Sequence, residues 1–351
     1  MKLFLKILFS LLVGAVCIWL SLKMIDVPTT LKVLRELTPS AVVIYLATLA
    51  VTHYFRACRW KYLLRPLGVS LPHNRLLAIS TVGFAGILLL PFRLGEFIRP
   101  YYVVRSGQSR MSAVLGTVAV ERIVDGLLIS ILFFVCYMTA PAAASDTYGP
   151  ALRLGAWVSL LGFLGATLFL TVALTWTEGT IRLVLRLTLL AHLTPGLGER
   201  IADKLRALVK GFKALHEPRD LVPFLLQTVL YWGSNGVGMW LLARSMNLDI
   251  PLVAAFATMA FTGVVISLPN SPGLAGQFEY GVMRPLLLYV SFETVRGLGG
   301  AYAIALHGIQ FVWYLVLGVV ALLFVGGRAT SLREVVIESN RAAVEGASEA
   351  Q

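Results

Sequence analysis

Long apolar runs separated by short polar clusters recur along this chain, and about 20 consecutive apolar residues are what an α-helix needs to cross a bilayer. Six stretches have that character: Leu3–Leu22, Ala41–Cys58, Ser112–Met138, Leu152–Trp176, Leu221–Ala243 and Leu298–Val325. Between them lie two pairs of shorter apolar pieces. Leu76–Leu90 and Gly95–Val104 are divided by Pro91, and Leu252–Leu268 and Gly276–Val290 are divided by Pro269–Gly273. Proline and glycine clusters inside apolar segments break a helix or turn it back. The pattern therefore predicts an all-α polytopic membrane protein, with about six spanning helices and two re-entrant helical hairpins.

Composition sharpens that picture. Of 351 residues, 58% are hydrophobic and only 14% are charged, with a mean hydropathy of +0.80. This is far more apolar than a soluble domain, and the alternation of an outer-membrane barrel is absent. No polar block is long enough for a soluble catalytic domain. The net charge of +12 is assigned to membrane edges and anionic lipid, not to nucleic acid, because no basic–aromatic platform accompanies it. Cys17, Cys58 and Cys136 all lie in or beside apolar runs, which argues against a disulfide framework. Val16 is too large for the small residue that a lipoprotein cleavage site wants, so the first apolar run reads as an uncleaved helix.

Basic residues give the orientation. With both termini cytoplasmic and both hairpins re-entrant, most of the 30 lysines and arginines fall on the cytoplasmic side, as the positive-inside rule requires. The expected location is a bacterial-type cytoplasmic (inner) membrane. Residues 1–140 then read as crossing, crossing, hairpin, crossing, and residues 151–326 repeat that order with inverted topology, followed by a cytoplasmic tail at 327–351. The breaks share a spelling, since Pro91-x3-Gly95-Glu96-Phe97 parallels Pro272-x3-Gly276-Gln277-Phe278. Interrupted helices at matching places in two inverted halves point to a mid-membrane transport site. Glu199–Leu215 carries one apolar and one charged stripe, the pattern of a helix lying on the membrane surface.

Ionisable residues at membrane depth cost ~2.5–3.5 kcal/mol each on insertion scales, so each needs a partner or a task. The candidates cluster around the breaks. Arg93, Glu96 and Arg99 at the first hairpin either bind a lipid phosphate or pair with one another. Glu121 and Asp125, four apart on one helical face beside Arg122, form either a proton or ion relay or an ion-pair network. Arg56 and Arg59 share one face at the inner end of the second helix, where they either anchor topology or bind substrate. Pro272, Gly273 and Gly276 open the second break, with Gly95 and Gly276 placed to let a head group approach backbone. Glu279 is either a proton-coupling carboxylate or a helix cap. A helix start exposes unpaired N–H groups that suit a phosphate, and arginines add charge-assisted contacts. The histidines have no metal-ligand spacing, no nucleophile–base motif is spelled out, and no metal or cofactor is expected.

Several segments together resemble a known family: FRACRWKYLLRPLGV at 55–69, LLLPFRLGEFIRPYYVVR followed by VAVERIVDGL, SLPNSPGLAGQFEYGV, and ALHGIQFVWYLVLG. The chain is similar over roughly residues 5–326 to the lysylphosphatidylglycerol synthase transmembrane-region family, also called flippase-like domain proteins. The resemblance implies movement of lipids between leaflets. Lysyl-lipid synthesis belongs to an aminoacyltransferase domain that these residues do not spell, so it is not carried over. His307, in the last helix, stands where many relatives have arginine, and joins the candidates for proton coupling. The expectation is a transporter or flippase for an anionic lipid or polyprenyl-phosphate carrier, with a second copy or a lipid-modifying enzyme as partners compatible with the sequence. The competing expectation is an integral-membrane transferase on lipid-linked head groups, or a scaffold for a glycosyltransferase.

Overall fold

The computed structural model describes residues 2–90, 95–107, 109–187, 201–203, 205–206, 209, 217–267 and 271–325. The described residues are helical throughout, with no strand among them. The helices are α1 (Lys2–Leu22), α2 (Val27–Arg35), α3 (Pro39–Cys58), α4 (Trp60–Leu64), α5 (His73–Leu89), α6 (Gly95–Val104) and α7 (Met111–Met138). They continue as α8 (Ala142–Thr175), α9 (Thr177–Leu187), α10 (Pro218–Ser245), α11 (Leu252–Val265), α12 (Gln277–Leu286) and α13 (Gly300–Val325). A short wide turn, Val295–Gly299, leads into α13.

Three helical stretches are long and apolar enough to cross a bilayer by themselves: Pro39–Leu67, Gly149–Thr175 and Phe292–Val325. The α1–α2 pair, bent by 87°, makes a fourth if counted as one span. α7 and α10 are also 28 residues long. In α7, however, Glu121, Arg122 and Asp125 fall within every membrane-length stretch. The broken segments have limbs of 17 and 10 residues (α5, α6) and of 14 and 10 residues (α11, α12). None reaches the ~20 residues of a full crossing.

The outer surface is what lipid demands and water would punish. On α8, Leu154, Val158, Leu161, Leu164, Leu168 and Phe169 are all exposed, and on α13 Leu323 and Phe324 are 79% and 77% exposed. An apolar surface of that extent marks a membrane contact.

Packing exchanges elements between the two sequence halves. α3 lies along α10, α5 packs on α13, and α11 packs on α7, while each broken pair, α5–α6 and α11–α12, also packs internally. Gly238 lets α10 approach α3, since a methyl there would overlap Thr48. α2 falls between the first two apolar runs. It forms because Asp26 caps it, accepting from the Thr29 N–H at 3.2 Å, with Pro28 in its first turn. α8 begins at Ala142, ten residues ahead of the apolar run predicted from Leu152, so the segment around Asp146 is helical. Most of Glu199–Leu215, together with Arg93 and the tail at 327–351, lies outside the described residues.

Candidate functional site

Thr52, Arg56 and Arg59 fall on one side of the α3 end at helical spacing. Arg59 is fully buried. Its Nε and Nη2 donate to Glu121 Oε1 at 3.2 and 3.0 Å, its Nη2 also donates to Asp125 Oδ2 at 2.7 Å, and its Nη1 reaches Asp125 Oδ1 and Thr228 Oγ1. Arg99 of α6, also buried, donates through Nη1 to Glu121 Oε2 at 2.7 Å. Its guanidinium lies 4.1 Å from the Trp60 ring centroid, and Trp60 Nε1 donates to Thr117 of α7 at 2.9 Å. Asp125 accepts further from Trp232 Nε1 at 3.0 Å. A bidentate arginine bridging two carboxylates is the geometry that makes buried ions tolerable. The network therefore bolts α3, α6, α7 and α10 together.

Beside it opens a cavity of about 390 Å³ between the two broken pairs. Its polar lining includes Arg56, Thr52, Glu96, Arg122, Asp125, Tyr231, Asn235, His307, Gln310 and Tyr314, and its apolar lining includes Phe84, Met239, Met259, Leu274 and Phe278. Arg122 sits with Nη2 3.4 Å from Asp125 and Nε 4.0 Å from Glu96. Arg56 is different. Its Nη1 donates to the Tyr314 hydroxyl at 3.1 Å and its guanidinium lies 3.9 Å from the Phe84 ring centroid, but no carboxylate among the described residues is within 4 Å of it. Its Nε is buried with no hydrogen-bond partner. A half-buried cation facing a cavity with no carboxylate in contact can accept an anion there.

The structure brings most of the sequence candidates into one neighbourhood and divides their contacts as follows. Of the candidate ligands, Arg56, Glu96 and Arg122 line the cavity, while Arg59 and Arg99 are turned onto Glu121 and Asp125. Gly95 and Gly276 line neither cavity nor groove. A methyl on Gly95 would overlap the α5 backbone at Gly86 and Ile87, and one on Gly276, at φ +79°, would overlap the α1 backbone at Cys17 and Ile18. The two glycines permit helix contact, not ligand approach. Pro272 and Gly273 lie in the wall of a second, open groove of about 610 Å³ that is otherwise mostly apolar, with Leu89, Ile304, Phe311 and Val312. Glu279 and His307 stand in that wall as well, and His307 also lines the central cavity.

The sequence reading missed Tyr231, Asn235, Gln310 and Tyr314. Their signal was present as polar positions at helical spacing within apolar spans: Thr228, Tyr231 and Asn235 on α10, and His307, Gln310 and Tyr314 on α13.

The family model for the lysylphosphatidylglycerol synthase TM region matches residues 7–318. The chain belongs to that family. A search of curated proteins and a search of solved structures each find no match. The matched region holds the entire charged network, the cavity and the groove. As a lysylphosphatidylglycerol synthase TM-region protein with helices long and apolar enough to span, the chain is a multi-pass membrane protein.

Proposed function

We propose that this family member binds the phosphate-bearing head group of an anionic lipid, a phospholipid or a polyprenyl-phosphate carrier, in the central cavity and moves it between the leaflets of the cytoplasmic membrane. The observation that carries the reading is Arg56, a half-buried arginine that lines the cavity with its Nε unpaired and has no carboxylate within 4 Å among the described residues. A phosphate would supply the missing charge. Arg122, Gln310 and Asn235 line the same space and offer further donors, and a cavity of about 390 Å³ suits a head group. The apolar groove beside it would take hydrocarbon. In this reading Arg59, Arg99, Glu121 and Asp125 are the frame that holds Arg56 in place.

The architecture proposed with it has six spans, two re-entrant pairs and two inverted halves, with both termini cytoplasmic. Its support is the reciprocal exchange of packing: the first limb of each broken pair lies on the closing helix of the other half, α5 on α13 and α11 on α7. Alternating access by rocking of such halves is the behaviour expected of this arrangement.

The test is a liposome assay. Purified protein is reconstituted with head-group-labelled phosphatidylglycerol, and the fraction of label reachable by an external quencher is followed. Wild type should equilibrate the leaflets without altering the lipid's mass, and Arg56→Gln should not. A change in lipid mass would instead favour a transferase, and equal rates in both proteins would remove Arg56 from the site.

A further inference from the structure

The wall between the cavity and the apolar groove is built around a hydrogen-bonded chain that admits one proton count. His307 Nε2 lies 2.7 Å from the carbonyl oxygen of Gly273. A carbonyl can only accept, so Nε2 carries a hydrogen. His307 Nδ1 lies 2.5 Å from Glu279 Oε1, and the other carboxyl oxygen of Glu279 accepts the Gly276 N–H at 2.7 Å. With Nε2 protonated, the Nδ1–Oε1 contact needs one further proton. It resides either on Nδ1, giving an imidazolium facing a carboxylate, or on Glu279, giving a carboxylic acid facing a neutral ring. Without it, two lone pairs would oppose each other at hydrogen-bond distance. The ring is held in place by Phe278, stacked at 4.7 Å.

We propose that this pair is a proton-binding site, and that its single shared proton latches α13 to the second helix break. The inference rests on the transport reading above and supplies its coupling ion. With the proton bound, His307 ties Gly273 and Glu279 to α13, and the wall between cavity and groove is closed. When the proton leaves, ionised Glu279 and the Nδ1 lone pair repel, the tie to Gly273 loosens, and the cavity opens sideways onto the groove where a lipid chain would lie. By linkage, the latched state is the one that holds the proton, so acid favours closure and alkali favours opening.

Among the described residues, none in contact with the pair offers a competing partner for that proton. Facing the pair, α5 contributes Leu88 and Leu89, and α1 contributes Ser21, whose hydroxyl donates to the Gly276 carbonyl, with Cys17 next to it. The charged groups lining the cavity that His307 also lines are Arg56 on α3, Glu96 on α6, and Arg122 and Asp125 on α7. Arrival of an anionic head group at Arg56 would change the potential at the pair and so couple lipid to proton.

The experiment reads the proton without needing transport. Infrared difference spectra of the detergent-purified protein, acid minus alkaline, should contain a carboxyl or imidazolium band that vanishes in Glu279→Gln. The glutamine keeps both contacts, its NH2 donating to Nδ1 and its oxygen accepting from Gly276, yet cannot titrate. In parallel, the separation between spin labels at Ala275 in the break and Ile304 on α13 should widen in wild type when the pair deprotonates, because the tie through His307 is lost while ionised Glu279 keeps the Gly276 N–H. In Glu279→Gln it should stay flat. His307→Gln provides a second non-titrating variant, and wild-type spectra with isotope-labelled histidine decide the matter even if both variants misfold. A wild-type spectrum without a band that Glu279→Gln removes, or a label separation that is flat across pH, overturns the proposal. A titrating pair in a protein that moves no lipid would leave the proton site standing and defeat the transport reading instead.

Discussion

Arg56 and Arg59 are three residues apart on one helix, and replacing each by glutamine should have opposite consequences. Arg59 donates five contacts to Glu121, Asp125 and Thr228. Its loss leaves Asp125 with Trp232 at 3.0 Å and Arg122 at 3.4 Å, and Glu121 with Arg99 at 2.7 Å. Removing one partner of a buried ion pair costs roughly 3–5 kcal/mol. That is a large share of the ~5–15 kcal/mol by which proteins are stable. Arg56→Gln loses one hydrogen bond to Tyr314 and the contact with Phe84, about 1–2 kcal/mol each. It also removes a half-buried cation that no carboxylate touches, which offsets part of that loss. Arg56→Gln should therefore lose less stability than Arg59→Gln, and should retain anionic lipid roughly tenfold to a hundredfold more weakly, the worth of one charged hydrogen bond. Thermal unfolding in detergent, paired with native mass spectrometry of retained lipid, measures both. The double change Arg59→Gln with Asp125→Asn should recover part of the stability lost in Arg59→Gln. An Arg56→Gln protein as unstable as Arg59→Gln, with lipid retention unchanged, would refute the division between ligand and frame.

Other consequences can be checked separately. Gly95→Ala and Gly276→Ala should both lower thermal stability, because each methyl meets a neighbouring helix backbone; mutants that keep wild-type stability but lose lipid would restore a ligand-facing role. Asp26→Ala should weaken α2 by about 1 kcal/mol through loss of its cap, read as faster hydrogen exchange at Thr29 and Thr30. Outside the spans, Arg206 hydrogen-bonds Glu178 at 2.8 and 2.9 Å and holds its carboxyl below the usual range. A depressed acid contributes stability above its unfolded value that is lost as pH falls through the folded one. Contact between α9 and the Arg206 segment should thus weaken below about pH 4.5, measured by a pair of spin labels, and should become pH-independent in Glu178→Gln. Cysteine labelling should place residues 60–75 and 105–110 on one side of the membrane and 291–296 on the other; labelling of 105–110 together with 291–296 would mean that the first broken pair crosses.

The chain announces its helices and its breaks clearly because both are local. Apolar length decides α1, α3, α8 and α13, and proline with glycine decides where α5 and α11 stop. Charges inside α7 announce that Glu121, Arg122 and Asp125 need a partner or a task, and the sequence alone leaves a relay and an ion-pair network equally open. What local pattern cannot say is which arginine meets which carboxylate. Arg59 and Arg56 are equivalent in sequence, and only the approach of α7 on one side and α13 on the other makes one a strut and the other a cavity wall. The same holds for Gly95 and Gly276, whose spelling suits a head group as well as a helix. The geometry of α5 and α1 decides for the helix. Tyr314 and Gln310 escaped notice because a tyrosine or glutamine in a long apolar helix passes for ordinary packing until the helices around it are placed.

One contact sets a timetable for making the protein. Ser21 at the end of α1 donates to the Gly276 carbonyl, 255 residues later, and Asp26 N–H reaches the Arg296 carbonyl. α1 therefore leaves the ribosome long before its seat, which is built some 255 residues later. At ~5–20 residues per second, α1 and α2 wait roughly 13–50 s before that seat exists. Through that interval the bend after Leu22 has only lipid, water or an insertion factor for company. Halves of this chain expressed apart should each remain unfinished, and a chaperone of membrane insertion should be found holding α1 on stalled nascent chains shorter than about Gly276.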